Sequence, residues 1–198
     1  MQPYCEYKAA EINLGGITGK DFDDPRNTDT VARAVSQIVE YEAPVCFEQI
    51  VARLKEACGI ERASPRFKDK IRYVLERNKT PYTIQNCTFS KDPANDVIFY
   101  WKNSEDATRI CDTFRTQSDI VRSGLEISVN EAARACSYVC KTQFGMPRED
   151  LISEAGKAIG FKVTSGHAKL LLNAAVDFAI SRGELVEYGF KVRYKGQV

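Results

Sequence analysis

Cysteine and histidine are the side chains of this sequence best suited to metal or nucleophilic chemistry, and Cys136 and Cys140 have the most suggestive spacing. They stand four positions apart, so two helical thiolates could share a metal ion there. A structural zinc site needs four ligands, and the seven scattered cysteines include no Cys-x-x-Cys pair. The chain has Val35 and Val39 101 positions earlier, on an apolar helix face. We therefore interpret both cysteines as small buried side chains and expect no metal.

The other residues that suggest catalysis or phosphate binding lack the partners they need. The single histidine, His167, has no cysteine or carboxylate close to it in sequence, so a capping or interface role is favoured over catalysis. The segment "LGGITGKD" ends in Gly-Lys-Asp, whereas a phosphate-binding loop begins with Gly and places Ser or Thr after the Lys. We expect a protein that is not an enzyme, with no catalytic residues and no cofactor.

The charge balance limits the kinds of partner. The 28 basic and 27 acidic residues give a net charge of +1, so nucleic-acid binding would have to rest on a local patch. No apolar run approaches the roughly 18 residues of a membrane span, and the N-terminus carries charge where a signal peptide needs an apolar stretch. These features predict a cytoplasmic protein with free thiols and no membrane partner.

The elements that would position a binding site are repeated within the chain. The strings "ARAVS", from Ala32, and "ARACS", from Ala133, lie 101 positions apart. The same shift, without a gap, superimposes further identical residues: Glu48 on Glu149, Ala57 on Ala158, Gly59 on Gly160, Ser64 on Ser165 and Lys68 on Lys169. Self-similarity at one fixed period predicts an internal duplication.

Each copy contains three segments with apolar residues at helical spacing, followed by a β-hairpin pattern. The first hairpin is predicted from runs over Tyr82–Phe89 and Val97–Trp101, and the second turns near Tyr188-Gly189. Ser128 and Glu131 are spaced as a capping box at the start of the second copy. Three helices and a hairpin are the plan of a winged helix. The predicted fold is therefore α+β, mostly helical, with tandem duplicated winged-helix domains.

These patterns divide the chain into four parts. Residues 1–27 form an N-terminal arm, 28–102 the first winged-helix repeat, 103–127 a connector and 128–198 the second repeat. The connector is expected to be ordered because its apolar residues need burial, namely Ile110, Phe114, Ile120 and Val121. Its arginines either reach phosphates or join the two copies through ion pairs, and these are Arg109, Arg115 and Arg122.

The duplicated layout, with its turns "GIERAS" (Gly59–Ser64) and "GFKVTS" (Gly160–Ser165), resembles the domain of unknown function 3320. The resemblance covers roughly residues 28–195. It implies a place at the extreme C-terminus of large bacterial superfamily I helicase-like proteins, often after a restriction-endonuclease-like segment. It also implies that the chain is a fragment whose partners include other domains of such a protein. It implies no activity and no functional residues.

The third helix of the first copy is the candidate nucleic-acid surface. Within Glu61–Thr80, seven basic and three acidic residues give a net charge of +4 in a chain whose total is +1. Cations beside a tyrosine on the outward face of such a helix suit phosphate or major-groove contacts. The predicted contacts are Arg62, Arg66, Lys70, Tyr73 and Arg77, with Lys91 of the hairpin as a further phosphate contact. The alternative is a solvated helix face whose cations serve only solubility.

The third helix of the second copy has apolar residues on both faces, and its window, Lys162–Ser181, has a net charge of only +1. Leu170, Leu171 and Phe178 fall on the face equivalent to the cationic one. Monomeric proteins avoid exposing such a patch. We expect it to pack against the first copy, the connector or another chain, and a homo-oligomer is one such outcome.

Together these features favour a non-catalytic accessory module of a larger helicase- or nuclease-like protein. It would bind duplex or branched DNA weakly, and largely without sequence preference, through the first copy. The alternative is a protein–protein interaction or intramolecular docking module that uses the apolar third helix of the second copy.

Overall fold

The fold is α+β with more helix than strand, and the computed structural model describes residues 2–77, 83–88 and 96–197. Up to the first hairpin the elements are β1 (Tyr4–Glu6), a 3₁₀ helix (Pro25–Asn27), α1 (Thr28–Glu42), β2 (Val45–Cys46), α2 (Phe47–Ala57), α3 (Pro65–Arg77), β3 (Thr83–Thr88) and β4 (Asp96–Trp101). The connector contains α4 (Ser104–Thr108), β5 (Phe114–Thr116) and a 3₁₀ helix (Gly124–Glu126). Then follow α5 (Val129–Gln143), β6 (Met146–Pro147), α6 (Arg148–Ile159), α7 (Gly166–Ser181), β7 (Leu185–Tyr188), β8 (Lys191–Tyr194) and a 3₁₀ helix (Lys195–Gln197). Among these helices, none combines the length and the apolar character needed to cross a bilayer.

Two three-stranded antiparallel sheets have the same strand order. Each combines a hairpin with a two-residue strand that precedes the second helix of its half, giving the orders β2-β4-β3 and β6-β8-β7. Val45 is paired with Tyr100 in the first sheet, and Met146 is paired with Val192 in the second. A further parallel pair joins β1 to β5. The sequence indicated both hairpins but neither of the short third strands, which are too brief to show an alternating pattern.

Four elements of each half begin at the same spacing along the chain. The starting pairs are Thr28 and Val129, Val45 and Met146, Phe47 and Arg148, and Pro65 and Gly166, each 101 positions apart. The turn before each third helix contains a glycine with a left-handed backbone, Gly59 at φ +63° and Gly160 at φ +103°. This conformation favours glycine. The two halves, called unit 1 and unit 2 below, thus share the order of their helices and strands.

The N-terminal segment is packed against unit 1, so the arm predicted over residues 1–27 is part of the folded body. Tyr7, Leu14 and Phe22 are buried. The Phe22 ring stacks on Phe67 of α3 with 3.9 Å between the ring centroids. Burial of these large apolar groups, at about 1.5–3 kcal/mol each, makes the segment a structural element.

The sheet of unit 1 lies between two hydrophobic cores. Tyr100 of β4 faces the core of unit 1. Its neighbours Phe99 and Trp101 point the other way and pack, with Cys46, into the core formed by α5 and the rest of unit 2. Alternate residues of a strand point to opposite faces, so β4 serves both cores at once. The outer face of this sheet is therefore the main apolar contact between the units.

The connector is ordered, as expected, but not every apolar residue in it is buried. Ile110 and Phe114 are buried in the same core as Trp101, whereas Ile120 is half-buried. Val121 is 73% exposed, so the prediction that it needs burial was wrong. It precedes Arg122, whose side chain is buried instead.

A buried carboxylate accepts hydrogen bonds from two connector arginines. Glu131, in the first turn of α5, receives Nη2 of Arg115 at 2.5 Å and Nη2 of Arg122 at 2.9 Å. The backbone N–H of Arg115 also donates to Glu131, at 2.9 Å. Burial alone would raise the pKa of Glu131, but the two guanidinium charges outweigh it and hold that pKa at about 2. The connector arginines thus form ion pairs within the chain, one of the two roles open to them.

The same arginines reach the N-terminal segment and unit 1. Arg115 donates from Nη1 to the carbonyl oxygen of Glu42 at 2.6 Å. The Glu42 carboxylate accepts from the Tyr7 hydroxyl and from Nε of Arg53 at 3.0 Å. The Tyr7 ring also lies 4.2 Å from the guanidinium carbon of Arg122. One polar network therefore joins the N-terminal segment, unit 1, the connector and unit 2.

We expect Glu131→Gln to lower the free energy of unfolding by about 3–5 kcal/mol at neutral pH, because it leaves two buried guanidinium groups without a carboxylate. Glu48→Gln, which removes an exposed pair with Lys68, is the control and should cost less than about 1 kcal/mol.

Because the folded pKa of Glu131 is depressed, its contribution is present above the ordinary value of 4.5 and is lost as the pH falls toward about 2. Urea denaturation across this pH range should show the free energy of unfolding of Glu131→Gln approaching that of the wild-type protein at low pH. A difference between these two proteins that does not change with pH would contradict the prediction.

Candidate nucleic-acid interface

Four of the predicted contact residues of unit 1 are exposed around α3. Arg62 lies in the turn before the helix and Arg66 in its first turn, and both are exposed. Neither makes an ion pair with any residue in the described part of the chain. Tyr73 is 44% exposed and Arg77 is exposed one turn further along. The opposite side of the helix is a buried apolar stripe, whose i, i+4, i+7, i+8 spacing is that of one helix face, namely Phe67, Ile71, Val74 and Leu75.

Tyr73 and Arg77 form a local pair on this face. The Arg77 guanidinium donates a hydrogen bond to the Tyr73 hydroxyl, and its central carbon lies 5.3 Å from the centroid of the ring. A guanidinium held over an aromatic face retains its charge and keeps other N–H groups for a ligand. This pair is thus oriented to contact an anionic group at the C-terminal half of α3.

Lys70 is not available for such contacts, which corrects its predicted placement. Its ammonium donates to the Thr28 hydroxyl at 2.6 Å and lies 3.4 Å from the carbonyl oxygen of Asp24. The lysine is half-buried between α3 and the segment that leads into α1. The helical pattern of α3 does not show that the segment before α1 lies against this part of its surface. The apolar Phe22, in an otherwise polar stretch, was the signal that this segment folds back onto α3.

The remaining cations of α3 are held by neighbouring groups. Lys68 pairs with Glu48 of α2 at 3.0 Å, and Arg72 pairs with Asp69 at 2.9 Å while its guanidinium carbon lies 4.8 Å from the Phe47 ring centroid. Lys68 and Arg72 contribute to the positive charge counted over Glu61–Thr80, but each has an acidic partner in the structure. The positive charge open to a ligand is therefore concentrated at the two ends of α3.

The arginines at the start of α3 lie at the end of the helix where positive charge is unfavourable for stability. The N-terminal end of a helix carries a partial positive charge and favours acidic side chains. No acidic residue lies in the first turn of α3, and Arg66 occupies it instead, next to Arg62. The two arginines and the helix dipole therefore attract an anion jointly.

Lys91, the predicted phosphate contact of the first hairpin, lies outside the described residues.

The predicted apolar interface of unit 2 is mostly directed into the protein. Leu171 has no exposed surface, which agrees with the expectation that this face of the helix is packed. Leu170 and Phe178 are half-buried and pack against the same core. The backbone of the first turn of α7 passes so close to the connector that a Cβ on Gly124 would lie 2.5 Å from the carbonyl carbon of His167.

The two units share one packing feature around their third helices. The segment before the first helix of each unit lies against the third helix of that unit. In unit 1 this segment contains Asp24 and Thr28, which bind Lys70, and in unit 2 it contains Gly124, which contacts α7. Lys70 and Leu171 are one shift of 101 apart, and neither is exposed.

The thiols and the histidine do not form a reactive site within the described residues. Cys136 and Cys140 are buried in the core around α5, and burial raises the pKa of Cys136 and that of Cys140, the latter to about 11. His167 is exposed in the first turn of α7. In that part of the chain, no three His, Cys, Asp or Glu side chains come together as they would around a metal ion.

Comparison with known proteins finds a family model that matches part of this region. Residues 20–69 match the family model described as a protein of unknown function, DUF3320. The match begins in the segment that leads into α1 and ends in the first half of α3. No curated protein and no solved structure matches the chain.

We expect Lys70→Ala to lower the free energy of unfolding by about 1 kcal/mol, the typical net value of a hydrogen bond, because its ammonium joins α3 to the N-terminal segment. Arg66→Ala is the matched control on the same helix and should change stability by less than about 0.5 kcal/mol, since Arg66 is exposed. Urea denaturation of both variants gives the comparison. Equal stabilities would contradict the structural role of Lys70.

Proposed function

We propose that units 1 and 2 are tandem winged-helix domains that arose by duplication. The common element starts, the common sheet orders and a repeated ion pair support this. Lys68 pairs with Glu48 at 3.0 Å, and Lys169 pairs with Glu149 at 2.9 Å, with both residues shifted by 101 positions. A surface ion pair contributes little to stability. Its recurrence at equivalent places is best explained by common descent of the two units.

Unit 1 is the nucleic-acid-binding unit of this module, with α3 as the helix that approaches the ligand. The observation that carries the proposal is the pair Arg62 and Arg66, exposed at the positive end of α3 and without an ion-pair partner among the described residues. Tyr73 and Arg77 extend the surface along the helix. Cations in this position of a helix-turn-helix contact the DNA backbone and the major groove.

The binding is weak and depends little on sequence. Few free cations are available, and Lys70 is engaged with the N-terminal segment. Non-specific binding of this kind has dissociation constants on the order of micromolar or weaker at physiological salt. Such an affinity suits a non-catalytic accessory module in a larger cytoplasmic helicase-like protein, where other domains bring duplex or branched DNA close.

We expect Arg66→Glu and Arg62→Glu each to weaken binding to a labelled DNA duplex by roughly tenfold at low salt, and to flatten the dependence of log K on log salt by about one unit. The loss should be similar for unrelated duplex sequences, because backbone contacts carry no sequence information. Fluorescence anisotropy titrations at several salt concentrations measure both quantities.

The control for these titrations is Lys162→Glu, which reverses an exposed charge in the corresponding turn of unit 2. It changes net charge as the arginine variants do but lies away from α3, so it should alter binding less than twofold. If all three variants weaken binding equally, only net charge matters and the α3 surface is not the site. Unchanged binding in both arginine variants would eliminate it.

A second candidate function, intramolecular docking by unit 2, is favoured by the close approach at Gly124. The first turn of α7 contacts the connector there, and the buried Leu171 is unavailable to another chain. In this alternative, α7 holds the connector and unit 1 in place, and the chain is a monomer.

We expect Gly124→Ala to lower the free energy of unfolding by about 1–3 kcal/mol, because its Cβ would overlap the backbone of α7. Val121→Ala, an exposed change in the same connector, is the control and should have an effect within about 0.5 kcal/mol. Light scattering on the wild-type protein tests the oligomeric state in parallel. Equal stability of the two variants, or a stable dimer, would argue against docking within the chain.

A further inference from the structure

The outer faces of the two three-stranded sheets are equivalent in position but differ in what covers them. The register pairs Cys46 with Phe99 in unit 1 and Pro147 with Lys191 in unit 2. Cys46 and Pro147 are one shift of 101 apart, so Lys191 stands where Phe99 stands. In unit 1 this face is buried against the core of unit 2. In unit 2 the cations of the corresponding face are half-buried, and the side chain of Arg193 lies against Gly145.

The strand register defines which side chains form this face in unit 2. Tyr188 is paired with Lys191, and Val186 is paired with Arg193. Paired residues of neighbouring antiparallel strands point to the same face, so these four side chains share one face. Val192, between Lys191 and Arg193, points to the other face and is buried in the core of unit 2.

The face combines exposed aromatic rings with cations. Tyr188 is 57% exposed and Phe190, in the hairpin turn, is 79% exposed. The guanidinium carbon of Arg193 lies 4.6 Å from the Tyr188 ring centroid, and Nζ of Lys191 lies 5.6 Å from that of Phe190. These four residues, Tyr188, Phe190, Lys191 and Arg193, are called the hairpin surface below.

Carboxylates near the hairpin are directed elsewhere. Glu184 pairs with Arg134 at 3.0 Å, and Glu187 lies on the opposite face, 3.9 Å from Arg148. Lys191 and Arg193 make no ion pair with a described residue. The hairpin surface therefore carries a positive charge, although Lys191 and Arg193 are both half-buried and only the two rings are largely exposed.

Solvation accounts for the cations of this surface but not for its aromatic rings. A face that only meets water is expected to carry polar side chains, whereas Tyr188 and Phe190 expose large apolar areas next to each other in the hairpin. A packed protein partner is also a poor match, because the equivalent face of unit 1, which meets protein, carries Phe99 and Trp101 in place of Lys191 and Arg193.

We propose that the hairpin surface of unit 2 binds single-stranded nucleic acid. Its rings offer stacking faces for unpaired bases, while Lys191 and Arg193 meet the phosphates that link them. An acidic peptide would use the cations but not the rings, and a duplex keeps its bases stacked away from them. The surface lies on other residues and takes another form of nucleic acid than α3 of unit 1, so it goes beyond the proposed duplex binding and does not rest on it.

The test is an anisotropy titration of a fluorescent oligothymidylate with the whole chain at low salt. We expect Phe190→Ala and Tyr188→Ala each to weaken binding by roughly fivefold or more, the loss of one base-stacking contact. Lys191→Glu should weaken it and reduce its salt dependence. Val163→Ala, which removes an equally exposed apolar side chain far from the hairpin in sequence, is the matched control and should bind as wild type. Thermal denaturation confirms that each variant is folded.

The outcome is separable from that of the duplex experiment. Arg66→Glu should retain oligothymidylate binding, and Phe190→Ala should retain duplex binding. Absence of oligothymidylate binding by the wild-type chain overturns the hairpin proposal and leaves the α3 proposal intact. Polyglutamate serves as a competitor. Suppose that polyglutamate displaces the oligothymidylate from the wild-type chain and that Phe190→Ala binds the oligothymidylate as tightly as the wild type does. The surface is then a site for acidic polymers and the proposal is wrong.

Discussion

The arrangement of this chain depends on one buried carboxylate, that of Glu131. A buried charge is tolerated only when it is paired and hydrogen-bonded, and Arg115 and Arg122 supply both conditions. These arginines belong to the connector, and they also reach the carbonyl oxygen of Glu42 and the ring of Tyr7. The two arginines that satisfy this carboxylate therefore also connect the N-terminal segment and unit 1 to unit 2. Apolar packing around Trp101 stabilises the same arrangement, but the polar network selects it, because a shifted connector would leave charges buried without partners.

This constraint makes two related units unequal. Stacking the sheet of unit 1 on the core of unit 2 requires apolar residues at Phe99 and Trp101, while the equivalent positions of unit 2 remain polar. The third helices differ for a similar reason. Both are flanked by the segment before the first helix of their unit, which binds Lys70 in unit 1 and lies against the first turn of α7 in unit 2. What distinguishes α3 from α7 is the rest of the face, where exposed arginines stand in α3 and half-buried apolar residues in α7.

Much of the local structure followed from the sequence, because it depends on short-range periodicity. The starts of α3 and α7, the buried stripe from Phe67 to Leu75 and both hairpins are local features of this kind. Contacts between distant segments were not accessible. The Ser128 side chain caps α5 as predicted, by accepting from the N–H of Glu131, but the Glu131 carboxylate turns to the connector arginines instead of completing the capping box. Lys70 and Val121 were misplaced for the same reason, since pattern alone does not show which distant segment covers a helix or leaves a residue exposed.

The tandem stacking also determines which surface of each unit is left for a ligand. Unit 1 uses the outer face of its sheet to contact unit 2, and exposed arginines lie at the two ends of its α3. Unit 2 uses α7 to contact the connector at Gly124, and its hairpin keeps Tyr188 and Phe190 exposed beside the half-buried Lys191 and Arg193. Each proposed binding surface is thus the one that its unit does not use for internal packing. Two units of the same element order need not present the same surface to a ligand, because the contact between them buries a different part of each.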